Sequence, residues 1–248
     1  MNFTLMVVTR KRPTMLAELI ESIVNTTQEK ADTEILVMYD IDDSSTYGVV
    51  ENLKERFCSQ MSLKFFTRER SSNINRDYYN DMALTKAEGK YIIAINDDTK
   101  FIKTAWDTEA RLAIERYLVD RPDGIFYGVV DDREVERKRN ENHWFSCFPL
   151  ISKKSIDALG FFFDPKFGKD GADWDIFATY KYIGRVLDLR PFIIIEHISV
   201  RSGRRPKDNL DYDYLPAGVS PDAGYNIGFN SVLLNRKICE AKGMPPDE

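Results

Sequence analysis

The sequence predicts an α/β domain in which helices flank a mostly parallel β-sheet. Short runs of aliphatic and β-branched residues alternate four times with segments that repeat apolar residues at helical spacing. The runs are apolar throughout, which is typical of strands buried on both faces of a parallel sheet. With 248 residues, 43% of them hydrophobic, the chain is long enough for one large domain with a substantial core.

The first half of the chain is regular. Four strands are predicted, over residues 3–8, 34–39, 63–66 and 91–95. Three helices are predicted between them, over residues 13–24, 47–57 and 75–88. Pro13 suits the first turn of its helix, and Gly89 ends the third helix just before the fourth strand.

The second half of the chain is less regular. Strands are predicted over residues 125–130, 144–151 and 186–195, and helices over residues 155–159, 173–182 and 229–241. Residues 131–143 are almost free of apolar side chains, and residues 201–215 begin with a basic cluster. We expect both segments to be exposed and mobile, because few apolar side chains anchor them.

Composition argues against several classes of protein. The net charge of −5 gives no whole-surface attraction to nucleic acid or to an anionic membrane. The three cysteines are odd in number and far apart, so a disulfide framework is not expected and a cytoplasmic location is favoured. No apolar run reaches the roughly 18 residues of a membrane span, and the first residues lack the layout of a signal peptide. With two histidines, a histidine-rich metal site is excluded.

Polar residues follow three of the predicted strands at the points where the strands end. Thr9 and Arg10 follow the first strand, residues 40–43 follow the second, and residues 96–98 follow the fourth. The carboxyl ends of parallel strands meet at one edge of a sheet, where α/β proteins bind ligands. Any one cluster could equally be a solvated loop.

Asp97 and Asp98 are adjacent carboxylates, which repel each other unless they face solvent, cap a helix or meet a cation. Hard divalent ions such as Mg²⁺ and Mn²⁺ prefer oxygen ligands. His197, at the end of another predicted strand, is a further candidate ligand, although it could also be a histidine without such a role. The signatures of dinucleotide-binding, P-loop, serine-hydrolase and zincin proteins are absent.

Four motifs in a fixed order resemble those of family 2 glycosyltransferases of GT-A fold, including small members from bacterial and phage genomes. They are VVTRKRP (7–13), ILVMYD (35–40), ALTKAEGKYIIAINDDTKF (83–101) and GADWDIFATYKYIG (171–184). A later histidine, in IEHIS (195–199), also fits the family pattern. The resemblance covers roughly residues 3–200.

The resemblance implies a metal-dependent, inverting transfer of a sugar from a nucleotide-diphosphate donor, with a UDP-sugar favoured, to an acceptor hydroxyl. It implies Mn²⁺ or Mg²⁺ held by Asp98 and His197, with Asp173 as the general base. The residues it implies for donor binding are Thr9, Arg10, Arg12, Asp40, Arg76 and Asp97. Arg201, Arg204 and Arg205 could close over the diphosphate or form a solvated basic loop.

The resemblance also divides the chain. Residues 1–200 would form the glycosyltransferase domain, with a nucleotide-sugar half over residues 1–100 and an acceptor half over residues 101–200. Residues 201–248 would be a flexible or lid-like extension packed on the same domain. The acceptor stays open between a glycan, a lipid-linked sugar, a protein and a hydroxymethylated DNA base.

Two positions depart from the family pattern. Asn96 replaces the first aspartate of the DxD motif, and Ala172 replaces the glutamate that precedes Asp173. A non-catalytic sugar-nucleotide or glycan-binding module is therefore an alternative, and Asp173 could instead cap its helix. A sugar-phosphate nucleotidylyltransferase is a second alternative, but it should carry a glycine-rich loop after the first strand, which residues 9–13 lack.

Overall fold

A computed structural model describes residues 1–133, 145–168, 171–200, 203–208 and 227–244. The two segments predicted to be mobile, residues 131–143 and 201–215, lie largely outside these ranges. Within the described residues, no helix is long and apolar enough to cross a membrane.

The described chain contains nine strands in two sheets. In chain order they are β1 (Phe3–Thr9), β2 (Thr33–Asp40), β3 (Ser62–Arg68), β4 (Tyr91–Asn96), β5 (Thr99–Phe101), β6 (Tyr127–Val129), β7 (Leu150–Ser152), β8 (Val186–Asp188) and β9 (Ile195–His197). Seven of them form one sheet in the order β3-β2-β1-β4-β7-β6-β8, and β5 pairs with β9 in a second sheet.

The main sheet is mostly parallel, as the sequence predicts. Strand β1 lies between β2 and β4 and runs parallel to both, and β2 runs parallel to β3. Strand β7 is antiparallel to both of its neighbours, β4 and β6, whereas β6 and β8 are parallel. The first four strands therefore bring their carboxyl ends to one edge, which is where the predicted polar clusters lie.

The helices of the described chain are α1 (Pro13–Thr26), α2 (Ser44–Phe57), α3 (Asp81–Thr85), α4 (Trp106–Leu118), α5 (Lys153–Leu159), α6 (Ala172–Tyr182) and α7 (Ile227–Ala241). A short 3-10 helix covers Lys30–Asp32. The single helix predicted over residues 75–88 is instead a π-helix, Asn75–Asn80, followed by α3. Helix α4 was not predicted from the sequence.

Each face of the main sheet has its own apolar core. Leu5 and Val7 of β1 pack in one core with Leu19 of α1, whereas Met6 packs in the other with Ile176 of α6. All five side chains are fully buried. Burying an aliphatic side chain of this size contributes about 1.5–3 kcal/mol, so the alternation along β1 stabilises both layers and fixes the register of the strand.

Candidate active site

A cleft of about 340 Å³ opens beyond the carboxyl ends of β1 and β4. Its lining includes side chains from both predicted halves of the chain. Among them are Arg12, Asn75, Tyr79, Asn96, Asp97, Asp98, Cys147, Ala172, Asp173 and Arg205. Of the nine predicted site residues, Arg12, Asp97, Asp98 and Asp173 line this cleft.

Next to the cleft, Arg10 and Asp40 form a closed polar cluster at the ends of β1 and β2. Arg10 Nη1 donates to Asp40 Oδ2 at 2.5 Å, and both guanidinium Nη atoms also donate to Asp42. The other Asp40 oxygen accepts a hydrogen bond from the Tyr78 hydroxyl. Burial, together with the hydrogen bond to Asp40, raises the pKa of Tyr78 to about 12. Both oxygens of Asp40 are therefore satisfied by the chain itself.

Asp43 joins the loops that follow β1 and β2. It is the N-cap of α2, where its side chain accepts from the backbone N–H of Thr46 at 3.1 Å. It also accepts from the backbone N–H of Lys11 at 2.6 Å. The cap therefore holds the loop that carries Arg10 and Arg12 close to the end of β2.

Sequence reasoning missed the two tyrosines of the π-helix. Tyr78 contacts Asp40, whereas Tyr79 donates to the backbone carbonyl of Ile95 at 3.0 Å and lies 3.2 Å from Asn96 Oδ1. Because a π-helix carries an extra residue per turn, it presents consecutive side chains in directions that α-helical spacing does not predict. No local sequence signal marks this register.

Asp97 lines the cleft and is buried. It accepts from Thr9 Oγ1 at 2.8 Å and from Arg12 Nη1 at 3.2 Å. Burial raises the pKa of Asp97 to about 6, and the nearby Asp98 acts in the same direction, whereas Arg12 opposes them. Thr9, Arg12 and Asp97 therefore form one connected unit that supports the floor of the cleft.

Asp98 is held by weaker contacts. Its Oδ2 lies 3.3 Å from Arg205 Nη2, and its Oδ1 lies 3.4 Å from His197 Nε2. Although it is buried, Oδ1 makes no hydrogen bond within the described residues. Burial alone would raise the pKa of Asp98, yet the His197 imidazole and the nearby guanidinium groups outweigh that effect and lower it.

The pairing of β5 with β9 brings His197 to Asp98. In this antiparallel pair His197 lies opposite Thr99, and the backbone N–H of Ile198 donates to the carbonyl oxygen of Asp98 at 2.8 Å. The chain separation is about a hundred residues, so local sequence signals do not report the contact.

A third carboxylate, Asp208, binds two arginines at the cleft. Arg12 donates to it through Nε at 2.9 Å and through Nη2 at 3.1 Å. Arg205 Nη1 lies 3.5 Å from the same carboxylate. Planar guanidinium groups bind phosphates in the same two-pronged way, so Asp208 lies where an anionic group of a ligand could bind. The sequence analysis did not single out Asp208.

Asp173 lies in the first turn of α6 and lines the cleft. The N-cap of this helix is Gly171, with φ 87°, and it makes no side-chain capping bond. Asp173 Oδ1 accepts from the backbone N–H of Trp174 at 2.9 Å, and the side chain is partly exposed. The structure therefore places Asp173 one residue inside the helix rather than at the capping position.

Arg76 lies outside the cleft lining. Its guanidinium is 60% exposed and makes a two-pronged contact with the adjacent Asp77. Arg204 contacts the His197 carbonyl oxygen at 3.3 Å and Glu196 at 3.3 Å, on the outer side of β9. Arg201 lies outside the described residues. Of the basic segment, Arg205 is the described arginine that lines the cleft.

The residues at the cleft are suited to hold a divalent ion if a bound ligand supplies the rest of its coordination. Within the described residues, no three His, Cys, Asp or Glu side chains cluster closely enough to hold a metal by themselves. Mg²⁺ is typically bound by one or two carboxylates together with substrate phosphates and water. Asp98 Oδ1, buried without a hydrogen bond in the described chain and facing His197, is an oxygen of the required kind.

Comparison with known proteins agrees with this architecture. The sequence model described as "Glycosyl transferase family 2" matches residues 4–181. A sequence search of curated proteins gives no match.

Solved structures of similar fold include several glycosyltransferases. TarS 1–349 from S. aureus in complex with UDP-GlcNAc has a TM-score of 0.61 at 14% identity, covering 99% of this chain and 74% of that chain. The mannosyltransferase PcManGT from Pyrobaculum calidifontis, in complex with GDP-Man and Mn²⁺, has a TM-score of 0.60 at 12% identity, covering 98% and 74%. GalNAc-T7 with UDP, GalNAc and Mn²⁺ has a TM-score of 0.58 at 13% identity, covering 79% and 43%. The chain spans 49% of a longer TarS structure. At these identities the likeness shows the GT-A fold.

Proposed function

This chain belongs to glycosyl transferase family 2 and is a glycosyltransferase, and on that premise we propose that it transfers a sugar from a UDP-sugar to an acceptor hydroxyl with inversion at the anomeric carbon. The observation that carries the proposal is the composition of the cleft. Its lining includes Asp98, which lies next to His197, and the helix-borne carboxylate Asp173. A leaving diphosphate and an attacking hydroxyl need two separate groups of this kind.

The donor nucleotide would bind beside β1 and β2. Thr9, Arg10 and Asp40 lie at the ends of these adjacent parallel strands. TarS and PcManGT were solved with UDP-GlcNAc and GDP-Man respectively, which supports a nucleotide sugar as the ligand class. Asp40 is hydrogen-bonded to Arg10 and to Tyr78, so its role would be to hold these two side chains in place beside the nucleotide.

The diphosphate would bind at Arg12 and Arg205. Asp208 already lies between these two guanidinium groups, and a phosphate would make the same two-pronged contact more strongly because it carries more charge. We expect the diphosphate to replace Asp208 on Arg12.

Asp98 and His197 would hold Mn²⁺ or Mg²⁺. When bound, such an ion neutralises the negative charge that develops on a diphosphate leaving group. Both GalNAc-T7 and PcManGT were solved with Mn²⁺, which supports a divalent ion.

Asp173 would accept the proton of the acceptor hydroxyl. Its side chain lines the cleft and is partly exposed, so an incoming hydroxyl can reach it. An in-line displacement with inversion needs one such base on the acceptor side.

The acceptor hydroxyl would belong to a glycan, a lipid-linked sugar, a protein or a hydroxymethylated DNA base. A cytoplasmic location also stays our proposal, consistent with Cys58, Cys147 and Cys239, which form no disulfide.

The test is release of UDP from a panel of UDP-sugars, with Mn²⁺ or with a chelator, followed by NMR of the anomeric configuration of any product. We expect UDP release that needs the metal and an inverted product. Equal release with the chelator would contradict metal dependence, and retention would contradict the assigned mechanism. Metal-dependent binding of donors without any release would favour the non-catalytic alternative.

A further inference from the structure

The side chain of Arg205 lies between two carboxylates at the cleft. Its Nη2 is 3.3 Å from Asp98 Oδ2, and its Nη1 is 3.5 Å from Asp208 Oδ2. The side chains of Arg205 and Asp98 are only 8% and 7% exposed. One buried guanidinium group therefore joins Asp98 to the carboxylate that lies where the diphosphate is proposed to bind.

These contacts belong to a longer series of alternating charges. Arg12 lies 3.2 Å from Asp97 and 2.9 Å from Asp208. Arg205 continues the series from Asp208 to Asp98. Each of the two guanidinium groups therefore contacts two carboxylates. Charges that are taken out of water in this way are costly when a partner is removed, so a ligand that displaces one of them has to supply a replacement.

The place of Arg205 resembles that of the proposed divalent ion. An ion bound by a carboxylate and by substrate phosphates joins two anions. Arg205 already makes such a connection from Asp98, with Asp208 in the place of the diphosphate. A guanidinium group is always charged and is more weakly hydrated than an ammonium group, so it suits a buried position of this kind. The chain thus supplies a cation of its own to Asp98.

We propose that Arg205 is a built-in substitute for the divalent ion, which neutralises Asp98 in the empty cleft and leaves this carboxylate when the ion binds. The proposal rests on the metal dependence of the proposed function. An ion that arrives alone displaces a buried guanidinium from one of its two carboxylates. An ion that arrives with a diphosphate makes the same exchange, but the phosphates offer the guanidinium new anionic partners.

The ion and the nucleotide therefore bind cooperatively. Each strengthens the binding of the other by the same factor, because coupling between two sites is reciprocal. Without the ion, Arg205 still helps to bind UDP, since its Nη1 can contact a phosphate in the place of Asp208 while its Nη2 stays on Asp98. Removal of the guanidinium should then strengthen the binding of the ion alone and weaken that of the nucleotide alone. A residue with a merely structural role would weaken both.

The experiment measures two affinities in each variant. One is that of Mn²⁺ without nucleotide, by EPR of free Mn²⁺, and the other is that of UDP with a chelator, by calorimetry. For Arg205→Gln we expect Mn²⁺ to bind at least about fivefold more tightly and UDP at least about fivefold more weakly, which is the lower end of typical coupling between sites. Arg116→Gln, at an exposed position of α4, changes the net charge equally and should alter neither affinity.

The conservative variant Arg205→Lys keeps the charge but loses the planar fork that contacts two anions at once. Both of its affinities should therefore shift in the same directions as those of Arg205→Gln, by smaller factors. Melting temperatures identify a variant that fails to fold, and Arg205→Lys then decides if Arg205→Gln is lost.

An unchanged or weaker affinity for Mn²⁺ alone in the folded Arg205 variants would overturn the inference. The proposed function would still stand if Mn²⁺ strengthens UDP binding to the wild type. A wild type whose UDP affinity does not respond to Mn²⁺ would overturn both the inference and the metal dependence.

Discussion

Two buried carboxylates at the same edge of the sheet have very different surroundings. Asp40, at the end of β2, has one oxygen bonded to Tyr78 and the other to Arg10. Asp98, just beyond β4, has one oxygen 3.3 Å from Arg205, and its other oxygen has no hydrogen bond in the described chain. The described chain completes the first carboxylate, and we propose that a ligand completes the second.

The energetic cost explains why this difference is informative. A buried acceptor left without a donor costs about 1–3 kcal/mol, so folded proteins rarely keep one without a reason. The proposed nucleotide site around Asp40 is therefore complete before a ligand binds. The proposed metal site around Asp98 is completed only by a ligand, and the predictions below test that contrast.

The largest expected effect is a loss of turnover on substitution of Asp173, the proposed general base on the acceptor side of the cleft. Asp173→Asn keeps the shape of the side chain but removes its basicity, so turnover should fall by about 10²–10⁴-fold. Because Gly171 rather than Asp173 is the N-cap, melting temperature and donor binding should hardly change. Steady-state UDP release measures the loss, and Asp120→Asn, an exposed position, is the control.

Full transfer activity in Asp173→Asn would place the base elsewhere. Asp175 in the same helix and Asp170, which lies outside the described residues, would be the next candidates. A variant that lost stability instead of turnover would point to a structural role.

The next prediction compares how much Asp40 and Asp98 each contribute to the free energy of unfolding. Asp40→Asn weakens the charged hydrogen bonds to Arg10 and Tyr78 and should lower the free energy of unfolding by about 1–3 kcal/mol. It should also reduce the selectivity between UDP and GDP, since it loosens the side chains beside the nucleotide. Asp98→Asn should cost less, because it removes a carboxylate with few bonds. Urea unfolding of both variants decides, and equal costs would contradict the contrast.

A smaller effect, on UDP affinity, is expected when the carboxylate of Asp208 is removed. Asp208→Asn removes the carboxylate that Arg12 and Arg205 share, so an incoming diphosphate no longer has to displace it. Arg12 keeps its contact with Asp97, and Arg205 keeps its contact with Asp98. Contacts of this half-exposed kind are worth up to about 1 kcal/mol, so UDP should bind roughly two- to fivefold more tightly. Calorimetry measures the change, and weaker binding would mean that Asp208 helps to bind the donor.

The smallest effect concerns Arg76. Its guanidinium is exposed and contacts Asp77 outside the cleft lining, so Arg76→Gln should leave UDP affinity within about twofold. A large loss of affinity would show that Arg76 contacts the donor, as the family resemblance implies.

The sheet could be predicted because its signals are local. Strands β1 to β4 are continuous apolar runs, and their parallel order follows from the helical segments between them. The place of the site followed as well, since polar residues at the ends of parallel strands meet at one edge. Asp97, Asp98 and Asp173 do line one cleft. Their roles stay predictions.

The rest depends on contacts that no local pattern encodes. Strand β7 enters the sheet between β4 and β6 in the antiparallel direction, and β5 finds β9 across the chain. The π-helix brings Tyr78 to Asp40, and Asp208 contacts Arg12 from a distant segment. Each is a choice between alternative long-range partners, which packing of the whole domain decides.

The most direct test of the proposed metal site is to measure the UDP affinity of the wild type and of Asp98→Ala, each with Mn²⁺ and with a chelator. Removing Asp98 takes away the oxygen proposed to hold the ion but leaves the nucleotide cluster of Arg10 and Asp40 intact. We predict that Mn²⁺ strengthens UDP binding to the wild type, and that Asp98→Ala loses this gain while it keeps its melting temperature and its metal-free affinity. If Asp98→Ala keeps the full Mn²⁺-dependent gain, Asp98 is not a metal ligand and the contrast between the two carboxylates is wrong.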